Sequence, residues 1–175
     1  MHGNSSKTRQ ISLAALFAAA IMVVTMFARV PVPSTDGGYI NLGDSVILAA
    51  AYMLGGPLGA VCAGVGSALA DVLVGAAIYA PGTAIIKALM ALAGGVIARR
   101  GGLLRYVTAS AVAGAIMLFG YALYETLVFD FSYAITALWF NCIQWGGNII
   151  FSVVMYGIVK RVKEISSRKM IKETP

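Results

Sequence analysis

Asn141, Gln144, Trp145 and Asn148 follow one another at spacings i, i+3, i+4 and i+7, which put them on one face of a helix. Side-chain amides offer donors and acceptors together, and an indole can stack on a flat ring. Such a set binds rather than reacts. It suits a pocket for a small planar polar solute, the alternative being hydrogen bonding between helices. A second set holds the buried charges. Lys87 lies two turns into a long apolar run, and ionisable groups inside a bilayer are costly unless paired or hydrated. Its partner is Asp44, Asp71 or a ligand. Tyr79, Tyr121, Glu125 and Trp139 are placed to line an outer mouth, and the segment from Val30 to Ile40, with Tyr39, is placed as a lid. Asn41 or Asp44 can cap the helix that follows the lid.

Reaction chemistry is largely missing. No G-x-x-x-x-G-K-[ST] loop occurs, so ATP hydrolysis is not expected of this chain. The single histidine, His2, stands alone in a polar tail, which removes Ser/His/Asp and Cys/His catalysis and any metal cluster. Asp44 and Asp71 could form a carboxylate pair, but neither sits in a catalytic motif. Cys62 and Cys142 lie inside apolar runs with no C-x-x-C, and are expected to be buried small residues. The protein is expected not to be an enzyme.

The elements that carry these residues must be membrane helices. The chain is 59% apolar and 11% charged, far from a soluble average of about a quarter charged. Eleven of thirteen Lys and Arg residues fall at Lys7 and Arg9, at Arg99, Arg100 and Arg105, and from Lys160 to Lys172. Asp36, Asp44, Asp71, Glu125 and Asp130 fall at the opposite ends of the runs. That asymmetry orients a polytopic protein with both termini cytoplasmic. The net charge of +6 sits at span ends, which fits anionic headgroups of the lipid bilayer and excludes a nucleic-acid face.

The expected fold is therefore an all-α membrane protein of six transmembrane helices, one integral domain over residues 1–175. Spans are predicted at 11–28, 42–54, 58–74, 81–99, 104–124 and 133–159, with a basic cytoplasmic tail at 160–175. Spans two and three are short for a core about 30 Å thick. The first run is longer than a signal-peptide core of about 7–15 residues and lacks an A-x-A exit, so it reads as a span. Strands of a barrel are excluded, since no run alternates with period two. Small residues recur at spacing four: Ala14, Ala15, Ala18 and Ala19 on span one, Gly55, Gly59 and Ala63 with Ala60, Gly64 and Ala68 around span three, and Ala91 with Gly95 on span four. Such spacing lets backbones approach, within the protein or, for span one, against a partner.

The run Gly38-Tyr39-Ile40-Asn41-Leu42-Gly43-Asp44, the Gly55–Gly64 turn and helix, Ser67-Ala68-Leu69-Ala70-Asp71, and Tyr79-Ala80-Pro81-Gly82-Thr83 leading to Lys87 resemble one family in order and over nearly the whole chain. It is that of the substrate-binding S components of energy-coupling factor (ECF) vitamin transporters, in the riboflavin-carrier-like branch that includes hydroxymethylpyrimidine and pyridoxine-type members. The resemblance implies tight vitamin binding under the loop joining spans one and two. It implies docking on a transmembrane T component, driven by two ABC-type ATPase subunits that use ATP and Mg, with no cofactor in this chain. It implies the plasma membrane of a prokaryote. It places the docking stripe at Ala14 and Ala18, where tryptophan should block uptake and spare binding. The ligand set expected from residues and resemblance together is Tyr39, Asn41, Asp44, Tyr79, Lys87, Glu125, Asn141, Gln144, Trp145 and Asn148. A stand-alone secondary transporter or channel, or a scaffold subunit, would instead need an ion path or no ligand at all; no repeat between the halves supports the first.

Overall fold

A computed structural model describes the backbone of residues 2–33 and 35–172 and the side chains of 7–33 and 35–165. Helix α1 (His2–Phe27) leads into a short hairpin, β1 (Arg29–Pro31) and β2 (Tyr39–Asn41). Then come α2 (Gly43–Leu54), α3 (Gly56–Leu73), α4 (Ala80–Ala98), α5 (Leu103–Val128) and α6 (Phe131–Lys172). The chain is an all-α membrane protein of six helices, five of them long and apolar enough to cross a bilayer. The sixth, α2, has 12 residues, about 18 Å at 1.5 Å per residue. It is too short to span alone. It is instead the hub of the bundle, in contact with all five other helices, and Ala50 and Ala51 at its centre are fully buried.

Four boundaries differ from those read in the sequence, the first being that α1 begins at His2 rather than at residue 11. The expected outer loop is paired: Arg29, Val30 and Pro31 stand opposite Asn41, Ile40 and Tyr39 in an antiparallel ladder. Helix α5 runs on to Val128, so Glu125 belongs to a helix rather than to the loop after it. Helix α6 continues through the basic segment as far as Lys172, because Lys and Arg are good helix formers and no Gly or Pro interrupts them.

Close helix approach explains the small residues. Gly55, at φ 92°, turns the chain between α2 and α3 in a conformation that favours glycine. A Cβ on Gly59 would lie 2.7 Å from the Ala51 Cα. Gly59→Ala should therefore push α2 from α3 and cost about 1–3 kcal/mol, read as a lower unfolding midpoint. Val61→Ala, at an exposed site on the same helix, should leave the stability within about 0.5 kcal/mol of the original.

Charge divides along the bundle. Arg99 lies beside the Gly55 turn, and Lys163 donates to the Tyr52 carbonyl at 3.3 Å while sitting 3.9 Å over the Tyr52 ring. Asp44, Asp71 and Glu125 are buried toward the opposite end, beneath the hairpin.

Candidate functional site

The hairpin roofs a polar cavity between α3, α4, α5 and α6. Its attachments are specific. The Asp36 N–H donates to the Tyr133 hydroxyl at 2.8 Å, and that hydroxyl lies 2.7 Å from the Tyr79 hydroxyl. Tyr39 donates its hydroxyl to Asp71 on α3. Burial above all, with the Asp71 carboxylate adding to it, pushes the Tyr39 phenol up, so it stays protonated and able to donate. The Asn41 N–H donates to Gln144 Oε1 on α6 at 2.7 Å. Asn41 also turns its own Oδ1 to the Gly43 N–H at 2.8 Å, satisfying one of the free donors at the start of α2.

Behind the cavity lies one shared carboxylate. Asp44 Oδ1 receives Lys87 Nζ at 2.5 Å, and Asp44 Oδ2 receives Gln144 Nε2 at 2.7 Å and Asn148 Nδ2 at 3.4 Å. Lys87 therefore pairs with Asp44 and not with Asp71. Its ammonium also lies 5.4 Å from the centre of the Tyr121 ring. A buried pair with every oxygen occupied is the condition under which such charges are tolerated.

Of the ten residues expected to hold a ligand, Tyr39, Asn41, Tyr79, Lys87, Glu125, Asn141 and Gln144 line the cavity. Asp44, Trp145 and Asn148 do not. Asp44 is spent on Lys87. Asn148 is spent on structure: it accepts from Ser45 Oγ at 2.9 Å and donates to the Asn41 carbonyl at 3.2 Å. Trp145 turns to α5, where its indole N–H donates to the Ala111 carbonyl at 3.0 Å and its ring fills the space a Cβ on Gly114 would need. Trp139 is 72% exposed and lines no mouth. Cys142 is likewise exposed, whereas Cys62 is buried and donates its thiol to the Ala14 carbonyl at 3.2 Å.

The four alanines expected to dock a partner, Ala14, Ala15, Ala18 and Ala19, divide between two sides of α1. Ala14 and Ala18 are half-buried against the α3 side of the core, and a Cβ on Gly66 would lie 2.5 Å from the Ala18 carbonyl oxygen. Ala15 and Ala19 are the exposed members. Sequence reasoning missed five lining residues, Thr25, Ser67, Asp71, Thr83 and Ala137, as site members. The spacing of Ser67 and Asp71, four apart on α3, was the available signal.

The empty space between the lining atoms is about 510 Å³, including the part that opens to solvent, but water centres can occupy only about 30 Å³ of it. That room for water centres is well below the roughly 300–1,000 Å³ of small-molecule sites. Holding a small molecule requires this cleft to widen, and the hairpin supplies Val32, Thr35, Gly37, Gly38, Tyr39 and Asn41 to its lining.

A membrane bundle with a roofed polar cleft at one end has the build of a solute-carrier subunit. The chain belongs to the ECF-type riboflavin transporter S component family, whose profile it matches over residues 5–163. It is 31% identical over 150 residues to an uncharacterized protein from the gap 3' region of Pyrococcus woesei, covering 83% of this chain and 99% of that one. Its fold matches the solved structure of the S component of a bacterial ECF transporter with a TM-score of 0.73 at 17% identity, over 89% of this chain and 98% of the other.

Proposed function

We propose that this chain is the high-affinity substrate-binding subunit of an ECF-type ABC importer, taking a small flat water-soluble vitamin or precursor, with hydroxymethylpyrimidine or a pyridoxine-type compound favoured. The observation that carries this reading is the cavity itself. It is polar, it sits inside an apolar bundle, and it is closed by a hairpin held to α3 and α6 through named hydrogen bonds. A polar cleft of this kind in a membrane protein is a functional-site signal, since the polar groups would otherwise be better replaced by apolar ones. The ligand enters from outside the cell when the hairpin lifts, both termini face the cytoplasm, and the membrane is the plasma membrane of a prokaryote. Binding needs no ATP. A T component and two ABC-type ATPase subunits, using ATP and Mg, supply the energy of release.

Purified protein in detergent without ATP should bind one of a panel of flat vitamins in the nanomolar range, read by calorimetry or by mass spectrometry of ligand carried through purification. Indifference to the whole panel would end the proposal. Docking uses the exposed side of α1. Ala15→Trp and Ala19→Trp should each reduce uptake in cells about tenfold or more while binding in detergent persists, because a bulky ring prevents close helix approach. Unchanged uptake in both would remove α1 as the docking helix.

A further inference from the structure

Three buried polar atoms at the cavity have no hydrogen-bond partner: Ser67 Oγ, Asp71 Oδ2 and Glu125 Oε2. Their residues are 1%, 3% and 3% exposed. Among the described residues the fourth such atom, the Tyr106 hydroxyl, belongs to a different part of the core. Buried acceptors without donors are rare in native structures, and each one calls for a missing partner. The nearest protein hydroxyls, Thr83 beside Asp71 and Tyr79 beside Glu125, are already engaged by Tyr121 and Tyr133. Among the described residues the only cation lining the cavity is Lys87, and Asp44 already holds it. Tyr39 serves the other oxygen of Asp71. Thr83 and Tyr121, nearby in the lining, hold one another at 2.9 Å.

We propose that Asp71 and Glu125, with Ser67, form the recognition wall for N–H donors, and that the substrate is an amino-substituted or protonated nitrogen heterocycle. This inference rests on the vitamin-binding reading and narrows it. Two carboxylate oxygens accept from an exocyclic amine or a protonated ring nitrogen, and the Ser67 hydroxyl accepts or donates as the ring requires. Such donors restore the hydrogen bonds that burial leaves unmade, and a cationic ring gains further from the anionic wall. The same wall rejects phosphate esters and carboxylates by like-charge repulsion. It rejects oxo analogues by leaving an acceptor facing an acceptor. Tyr79 and Tyr121 supply aromatic surface beside it.

The test is equilibrium binding to the full-length protein in detergent, using the hydroxymethyl aminopyrimidine, its oxo counterpart with a carbonyl in place of the amine, its phosphate monoester, pyridoxamine, pyridoxine, thiamine and riboflavin. The amine-bearing ring should bind about 100-fold or more tighter than its oxo counterpart, as sites built around a donor discriminate. The phosphate ester should not bind measurably. Glu125→Gln and Asp71→Asn should each weaken the amine ligand by about 10-fold or more and narrow the preference over the oxo form. Equal or tighter binding of the oxo or phosphate form to the unaltered protein would overturn the assignment, and that comparison needs no variant. Binding of riboflavin or pyridoxine with indifference to every amine-bearing ring would overturn this inference alone. Silence across the whole panel would overturn the vitamin-binding reading, and this one with it.

Discussion

Asp44→Ala should lower stability by about 3–5 kcal/mol, because it strands a lysine in the protein interior. Lys87 is 2% exposed and Asp44 8%. Among the described residues no second carboxylate stands within ion-pair distance of the ammonium, and Gln144 and Asn148 would each lose an acceptor as well. The unfolding midpoint in detergent should fall by about 6–20 °C at roughly 2–4 °C per kcal/mol for a chain this size. The double variant Asp44→Ala with Lys87→Met should recover most of that loss. Removing both charges leaves apolar volume where one charge alone leaves an uncompensated ion. A single variant within about 1 kcal/mol of the original, or a double variant worse than the single, would show that the pair does not organise the centre of the bundle.

Tethering the hairpin should abolish ligand entry. Asp36 and Tyr133 meet across the mouth, N–H to hydroxyl at 2.8 Å. With cysteine at both positions and Cys142→Ser to remove the exposed native thiol, a short reducible bifunctional thiol reagent would bridge hairpin to α6. The cleft admits water centres to only about 30 Å³ and the hairpin forms much of its lining, so holding the hairpin down should keep the cleft too tight for a vitamin ring. The association rate should drop about 100-fold or more on bridging and return on reduction. The unbridged double variant supplies the baseline. Entry at the same rate with the bridge in place would mean that the ligand takes another route.

The six helices were legible because apolar runs of membrane length announce themselves, and the short span two was already visible as short. The hairpin was not. Three-residue strands are too brief to show alternation, and Pro31, Pro33 and Asp36-Gly37-Gly38 spoke only of turns. The amide face on α6 shows the limit of periodicity. Spacing puts Asn141, Gln144, Trp145 and Asn148 on one side of the helix, but that side is wide enough to meet two neighbours. Gln144 and Asn148 meet the start of α2, whereas Trp145, one residue on, meets α5. Alanines behave alike: Ala14 and Ala15 differ by about 100° around α1, and methyl groups fit an internal or an external contact equally. Charge pairing was beyond the sequence, since Asp44 and Asp71 were equally plausible partners for Lys87 until the register of α2 against α4 was known. Ser67 and Asp71 share a face of α3 by their spacing, yet nothing in one strand of sequence tells an inward face toward a cleft from an inward face toward a neighbour.

Whether the cleft beneath the hairpin receives the vitamin can be read at a single thiol. Thr83 is 2% exposed and lines the cavity, so Thr83→Cys, with Cys142→Ser to remove the exposed native thiol, places a near-isosteric probe inside it. Saturating vitamin should slow modification of the cavity thiol by a small aqueous methanethiosulfonate about tenfold or more, because a bound ring fills the space the reagent needs. Equal rates at position 83 with and without bound vitamin would contradict the account.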